Sequence, residues 1–515
     1  MPVLRQARNR WWQFKINFMR ALKALVFVTL LVWTLCFGSY GQTSKLLKTF
    51  PANSPEQQGL SSSVLDSMML FIKSTSQNIH HLTIIRNSQT VLDADIYPYS
   101  SQYLHDIASV SKSFTSLLMG IAIDKGFIKD ENEPVLKFFP EIKVHNQQLD
   151  SLTIKDLITM RSGFDCSVED GEKALSNMRK TNDWVSFIFN LPMTSKPGDT
   201  FSYCSCNFYL LGEIIYRTTK LIPHDFAKKY LFSPLQIEGT KWLTNYKGMN
   251  NGWGDLFLCP ADMAKVGQMV LEKGKWQGKQ IVSEQWITKS LTTLSELHDD
   301  KGYGYGWWTN DKVGYNEAAG RGRQTISIIP LKNMVVTMLG GEFDAGTIGK
   351  YIFESIKSDK PLSNNPNGYK RLKTTIKEIA STPSFKPIAT NNSLIQRLNK
   401  KTIAFERNIA EIDSLQLDFI SKEKGTVTFY TKGKKENYPF LLSANNYALG
   451  FDSTLQLPIA LQANFKKENE FVLHFNQLCR INNFYFHFII NGNNVTTTME
   501  ETSNFIKTNI ASSFK

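Results

Sequence analysis

The chain has 515 residues, 42% of them hydrophobic and 20% charged, an ordinary globular composition with enough apolar material for more than one packed domain. Its formal charge of +13 points at first to a polyanionic partner, but Arg5, Arg8, Arg10, Lys15, Arg20 and Lys23 all precede the first acidic residue, Glu56, and supply nearly half of that excess. No basic patch interleaved with aromatic residues follows, which argues against nucleic acid; six cysteines without a C-x-x-C pair or a His/Cys cluster at zinc spacing argue against a disulfide-built scaffold and a metal site.

Behind the basic run, residues 24–38 (ALVFVTLLVWTLCFG) form an apolar stretch that leads to small residues around Ser39 and Gly41, the three-part form of an export signal. The stretch is short for a membrane span, although Ala21, Leu22 and Tyr40 can extend it into an uncleaved anchor. Leu35 before Cys36 argues against a lipoprotein cleavage site. Residues 1–41 are therefore expected to be a signal peptide or membrane anchor, with the rest of the chain outside the cytoplasm.

After a polar leader, residues 60–72 show helical periodicity through Val64, Leu65, Met68, Met69 and Phe71. The segments HLTIIRN and TVLDADIY, joined by a turn at Asn87 to Gln89, predict a hairpin. Residues 130–286 are mostly helical in pattern, with long connections, and strands return in YGYGWWTN, GYNEAAGRG, QTISIIP and NMVVTMLGG before a helix near 347–358. A sheet built from both ends of a domain around a helical excursion predicts an α+β core over residues 50–358, with a cleft between the lobes. Residues 359–384 read as a linker and a basic helix. From 385 to 515, period-two patterns such as Phe484, Phe486, Phe488 and Ile490 predict a separate antiparallel all-β domain, a sandwich or small barrel that serves as a spacer or packing module.

The stretch LHDIASVSKSFTSLLMG places Ser109 and Lys112 one helical turn apart at the mouth of an apolar helix. A serine hydroxyl needs a neighbouring base to attack a carbonyl, and a partly desolvated lysine can supply it. The same spacing recurs at Ser421 with Lys424 and Ser512 with Lys515, without such flanks. The structural alternative is a capping serine with a lysine that reaches to the surface. Two further segments gather polar groups: FSYCSCN, with Tyr203 and Ser205 ahead of an apolar helix, and AAGRGRQTISIIP, with Arg321 at the start of a strand whose edge amides can form an oxyanion hole.

With these three segments in order, residues 55–358 resemble the serine β-lactamase and penicillin-binding superfamily, specifically the class C β-lactamase-like serine hydrolases with their esterase and peptidase relatives. Ser109 and Lys112, within ASVSKSFTS, match the S-x-x-K motif, and Tyr203 and Ser205 match Y-x-N or Y-x-S. The third motif, K-T-G or H-x-G in the family, departs: this chain offers either Arg321, Gly322 and Arg323 or, one register earlier, Ala318, Ala319 and Gly320. The resemblance implies a β-lactamase/transpeptidase-like antiparallel sheet flanked by helices with a helical lobe. It implies Ser109 as acylated nucleophile, Lys112 and Tyr203 as proton carriers, and an oxyanion held by the Ser109 N–H with one near Arg321 to Gln324. Ser205, Gly320, Arg321, Gly322, Arg323 and Gln324 are the expected substrate-binding residues, with Arg321 reading a carboxylate unless it pairs with Glu317 or Asp344. A small-molecule or peptide substrate, with or without a carboxylate, and no cofactor are expected, and the N-terminal segment places the protein in the periplasm or anchored facing it. On that fold Cys166 and Cys204 reach the same side of the cleft and can bridge; the alternatives are two free buried thiols, or Cys206 in place of Cys204. The competing reading is a non-catalytic, membrane-tethered sensor on the same fold.

Overall fold

The computed structural model describes residues 45–143, 146–297, 300–408, 411–503 and 506–514. The chain divides into two units, residues 1–49 and 50–515. The described part of the first is a helix at Lys45–Thr49, and the expected leader at residues 1–41 lies outside the described residues. Among those described, no helix is long and apolar enough to cross a membrane.

In the second unit, helix α1 (Ser62–Ser74) begins where the Ser61 hydroxyl accepts from the Val64 N–H, and it buries Leu65, Met68, Met69 and Ile72 along one stripe. That stripe packs on an eight-stranded antiparallel sheet. Its strands in chain order are β1 (Ile79–Arg86), β2 (Gln89–Asp95), β3 (Ser295–Glu296), β4 (Lys301–Tyr303), β5 (Trp308–Asn310), β6 (Tyr315–Gly320), β7 (Gln324–Ile329) and β8 (Met334–Gly340). In space they run β2-β1-β8-β7-β6-β5-β4-β3. Pairing of β1 with β8, Leu82 opposite Met338 and Ile84 opposite Val336, joins the two sequence ends of the domain. Both strands are buried at every position, although β1 carries His80, His81, Thr83 and Arg86 among its apolar residues. The segment predicted as one strand from Tyr303 is β4 and β5, separated by a turn with Gly306 at φ +77°.

Between β2 and β3 the chain passes through α2 (Val110–Asp124), short helices at Ile154–Ile158, Lys173–Met178 and Trp184–Phe189, then α3 (Ser205–Thr219) and α4 (Pro260–Leu271). Helix α2 packs against α3, and α4 lies on β7 and β8. After α5 (Ala345–Ser355), α6 (Pro366–Ala380) returns to α1, where the Thr375 hydroxyl donates to Asp66 at 2.6 Å.

The C-terminal region is an eleven-stranded sheet from Thr402 to Phe514 wrapped around Phe429, Phe440, Phe471, Phe486 and Phe488. It curls into a near-barrel: the last strand, Ser512–Phe514, pairs with Thr402–Phe405, while the Ser512 hydroxyl donates to Val495 O at 3.0 Å. The expected antiparallel order holds except where Leu441 and Leu442 pair in parallel with Gln462 and Ala463. The connection between them carries a further strand, Ala448–Phe451, antiparallel to Pro458–Lys467, and two reversals restore the original direction. This region is docked on the first domain rather than hung from it: the Asp106 N–H donates to Cys479 O at 2.8 Å, and Asn476 Nδ2 donates to the Tyr99 hydroxyl at 2.9 Å.

Candidate active site

The turn that delivers Ser109 is built by Asp106, whose Oδ1 accepts the Ala108 N–H at 2.8 Å while Ala108 takes φ +46°. A non-glycine residue in that region is uncommon and needs surrounding contacts to hold it. Asp106 is itself buried, and that burial, followed by the nearby Asp255, pushes its carboxyl above the usual range. Behind it, His105 Nδ1 meets the Asp106 carbonyl at 2.7 Å and His105 Nε2 meets His80 Nδ1 at 2.7 Å. Burial pushes both imidazoles down, His105 to about 4.

Ser109 then stands at the head of α2 in helical geometry, and its hydroxyl caps no backbone N–H. It accepts instead from Lys112 Nζ at 2.8 Å, and the same ammonium donates to Trp253 O at 3.1 Å. Lys112 is 1% exposed, so the surface-reaching alternative is excluded. The loop that brings the Trp253 carbonyl in wedges between α2 and α3 at Gly252, where a Cβ would meet Phe208 O at 2.2 Å. The Thr115 hydroxyl holds that loop by donating to Gly252 O at 2.7 Å.

Lys112 Nζ also lies 4.9 Å from the centroid of the Tyr203 ring. Tyr203 is fixed by stacking on Trp308, with centroids 5.9 Å apart and planes at 16°, and Trp308 is packed in turn by Tyr303 and Phe201. Directly after Tyr203, Cys204 is bridged to Cys166 with a Cα separation of 5.5 Å. Cys206 stays a free buried thiol, its Sγ within 4.8 Å of the other two sulfurs. Burial pushes that thiol up to about 12. The sequence expected Ser205 to face substrate. Its hydroxyl donates to Glu172 Oε2 at 3.0 Å and its N–H to Glu172 Oε1 at 2.6 Å. Glu172, 33 residues upstream and in no motif, had no sequence signal.

At the third segment, Gly320 is the residue that lies against the nucleophile, since a Cβ there would come 2.9 Å from Ser109 N and 2.8 Å from Ile107 O. This is the register in which the motif reads Ala318, Ala319, Gly320, and the motif's own cation is lost. Arg321 follows at the tip of the β6–β7 hairpin and turns away to the C-terminal region, Nη1 donating to the Ser503 hydroxyl at 2.6 Å. Neither acid named as its partner is used so: Glu317 accepts from Ser327 and Asp344 caps α5. Gly322 at φ +77° and Arg323 at φ +67° form the turn, tied to Glu342 by the Gly322 N–H at 3.2 Å and Arg323 Nε at 3.2 Å. Gln324 is fully buried, and its amide clasps the Gly340 backbone across β7 and β8. Gly322, Arg323 and Gln324 therefore shape the hairpin.

A family model described as Beta-lactamase matches residues 81–344, and the chain belongs to the beta-lactamase family of serine hydrolases. Among individual proteins it is similar to 6-aminohexanoate-dimer hydrolase of Paenarthrobacter ureafaciens, 25% identical over 289 residues that cover 51% of this chain and 73% of that one. It is also similar to protein flp of Staphylococcus aureus strain MW2, 30% identical over 152 residues, 29% of this chain and only 30% of the staphylococcal protein's length. Among solved structures, the octameric penicillin-binding protein homologue from Pyrococcus abyssi aligns with 87% of this chain and 99% of its own, at 16% identity and a TM-score of 0.48.

Two outcomes follow from this geometry. Gly320→Ala should push the β6 edge off Ser109 and lower kcat/KM for any substrate by about 10²-fold, the scale of a 1 Å misplacement, while the far-UV spectrum stays that of wild type; unchanged kinetics would show that the strand has room to move. Reduction of the Cys166–Cys204 bridge, which closes a loop of sequence separation 38, should cost about 3–4 kcal/mol of stability on the chain-entropy account, read as a lower urea midpoint that Cys166→Ala reproduces.

Proposed function

We propose that the protein is an exported serine hydrolase that cleaves ester or amide bonds through an acyl-enzyme on Ser109. The observation that carries the reading is the 2.8 Å contact between the buried Lys112 ammonium and the Ser109 hydroxyl, beside the face of Tyr203. In the proposed sequence Ser109 Oγ attacks the carbonyl carbon, its proton passes into the Lys112 and Tyr203 pair, and that pair returns a proton to the leaving amine or alcohol. Water then attacks the acyl-serine by the same proton route in reverse. Because Lys112 and Tyr203 handle one proton between them, they act as a unit. The oxyanion sits against the Ser109 N–H and the amide beyond Gly320, that of Arg321, where two donors aimed at one oxygen give the usual stabilisation of acyl transfer.

The proposed substrate is a neutral or linear amide or ester with no carboxylate requirement beside the scissile bond. Ala318 stands where a cation is usual, and the Arg321 guanidinium is engaged by Ser503. The aromatic wall of Tyr203, Trp308 and Phe201 suits an apolar acyl or leaving group. The similarity to a 6-aminohexanoate-dimer hydrolase supports amide cleavage.

The test is turnover by the purified chain from Gln42 onward of a chromogenic short-chain ester and a chromogenic cephalosporin. Repeated release from the ester is expected, with Ser109→Ala slower by roughly three orders of magnitude or more. A single stoichiometric burst with no later turnover would instead support the sensor, and Ser109→Ala activity equal to wild type would overturn Ser109 as nucleophile.

A further inference from the structure

Behind the nucleophile turn, two buried imidazoles, His80 and His105, form the middle of a chain of polar contacts that ends on an acceptor at both sides. His105 Nδ1 meets the Asp106 carbonyl at 2.7 Å, His105 Nε2 meets His80 Nδ1 at 2.7 Å, and His80 Nε2 meets Asn78 Oδ1 at 3.2 Å. A carbonyl can only accept. The Asn78 amide is held one way round, because its Nδ2 donates to Gly341 O at 2.7 Å and leaves Oδ1 toward the ring, where the Tyr99 hydroxyl also donates to it at 3.4 Å.

This chain is one proton short. Its three contacts each need a proton on a ring nitrogen, and two neutral imidazoles carry two between them. A gap between the rings would set two lone pairs face to face at 2.7 Å, so the gap falls at one end and both rings carry the same tautomer. It costs least at the longest contact, where Asn78 Oδ1 keeps its bond from Tyr99; the two protons then sit on the Nδ1 atoms. One added proton closes all three contacts. A second would force two N–H groups against each other between the rings.

The surroundings limit the pair in the same direction. Tyr99 stacks on His80 with centroids 3.5 Å apart. Ser100, Tyr103 and apolar side chains close the rest of the space, about 10 Å³, which is at the lower limit for one water. His81, next along β1, pairs with Asp93 and Asp95; burial opposes its charge, but these bonds push its imidazole up to about 9. That charge resists a proton on His105, as burial does on both rings. The Asp106 carboxyl faces the other side, within electrostatic reach of Asp255, Arg480 and Arg321. The pair is therefore neutral near neutral pH and gains its proton only as the pH falls below the ordinary histidine range.

The chain also spans the two segments that flank Ser109. At one end it holds the Asp106 carbonyl of the turn. At the other it holds Asn78 and Gly341, and Glu342, next in sequence, accepts from the Gly322 N–H and Arg323 Nε of the β6–β7 hairpin. We propose that His80 and His105 are a single positioning unit for Ser109, a strut between turn and hairpin that carries two protons over three contacts at neutral pH and takes up one more in acid, never two. Its effect on catalysis rests on the acyl-enzyme reading, whereas the proton count stands without it.

Nitrogen NMR of the chain from Gln42 onward, labelled in histidine, tests this without any substrate. The resonances are assigned through His80→Asn and His105→Asn or, should either fail to fold, through backbone-linked spectra of wild type. Near neutral pH both rings should show the same tautomer, Nδ1–H; as the pH falls they should shift together, with one midpoint and one proton in total. Opposite tautomers, two separate midpoints, two protons, or no uptake before the chain unfolds would each overturn the shared proton. His80→Asn keeps a donor toward His105 and lacks the second ring nitrogen, so it should lower kcat for the chromogenic ester by about tenfold, the scale of a misplacement well under 1 Å, with KM unchanged. A kcat equal to wild type would overturn the positioning role, and absence of ester turnover by wild type would count against the acyl-enzyme reading alone.

Discussion

The structure turns on an ammonium group buried without a counter-ion. Lys112 is 1% exposed, and among the described residues no carboxylate lies within ion-pair distance of it. Its partners are a hydroxyl, a carbonyl and the face of a ring. An unpaired charge removed from water carries a penalty of several kcal/mol even after relaxation, and lysine is almost never buried on such terms for stability. Everything around it follows from holding it there: the loop wedged at Gly252 brings the Trp253 carbonyl, the Tyr203 and Trp308 stack supplies the π face, and Asp106 bends the chain so that Ser109 meets Nζ. On the proposed mechanism, the arrangement exchanges stability for a group that trades a proton with Ser109 and Tyr203.

Much of this was legible because the residues concerned carry chemistry or periodicity of their own. Ser109 and Lys112 stand in an apolar helix at a spacing with one physical consequence, and β1, β2, β7 and β8 announce themselves as segments rich in apolar and β-branched residues bounded by turn residues. The third segment was not legible to the residue. What matters at Gly320 is an absent Cβ against Ser109 N, and a glycine in a small-residue stretch gives no hint of what it faces. The arginines next to it drew attention by charge, yet Arg321 is spent on Ser503 and Arg323 on Glu342. Glu172 escaped for the opposite reason: a lone acid in a polar connection looks like solvated surface until folding sets it on Ser205.

The C-terminal region reads as a spacer or packing module, since its alternating pattern predicts strands and says nothing of where their connections dock. The connection through Cys479 accepts the Asp106 N–H, Arg480 lies 5.6 Å over the ring of Phe257, and Ser503 takes the Arg321 guanidinium. Two of these contacts thus reach the two segments that flank Ser109, the turn before it and the hairpin beside it, and the third reaches Phe257, the strand partner of Asp106. The near-barrel is part of the frame that holds the nucleophile's surroundings.

The central claim, an acyl bond to Ser109, is tested most directly by intact-mass spectrometry of the protein quenched during reaction with an activated ester, followed by peptide mapping. The account predicts a mass gain equal to one acyl group, located on the peptide that contains Ser109, formed quickly and lost as free acid appears. An acyl group mapped to any other residue, or acid released with no protein adduct at any quench time while Ser109→Ala turns over normally, would contradict it.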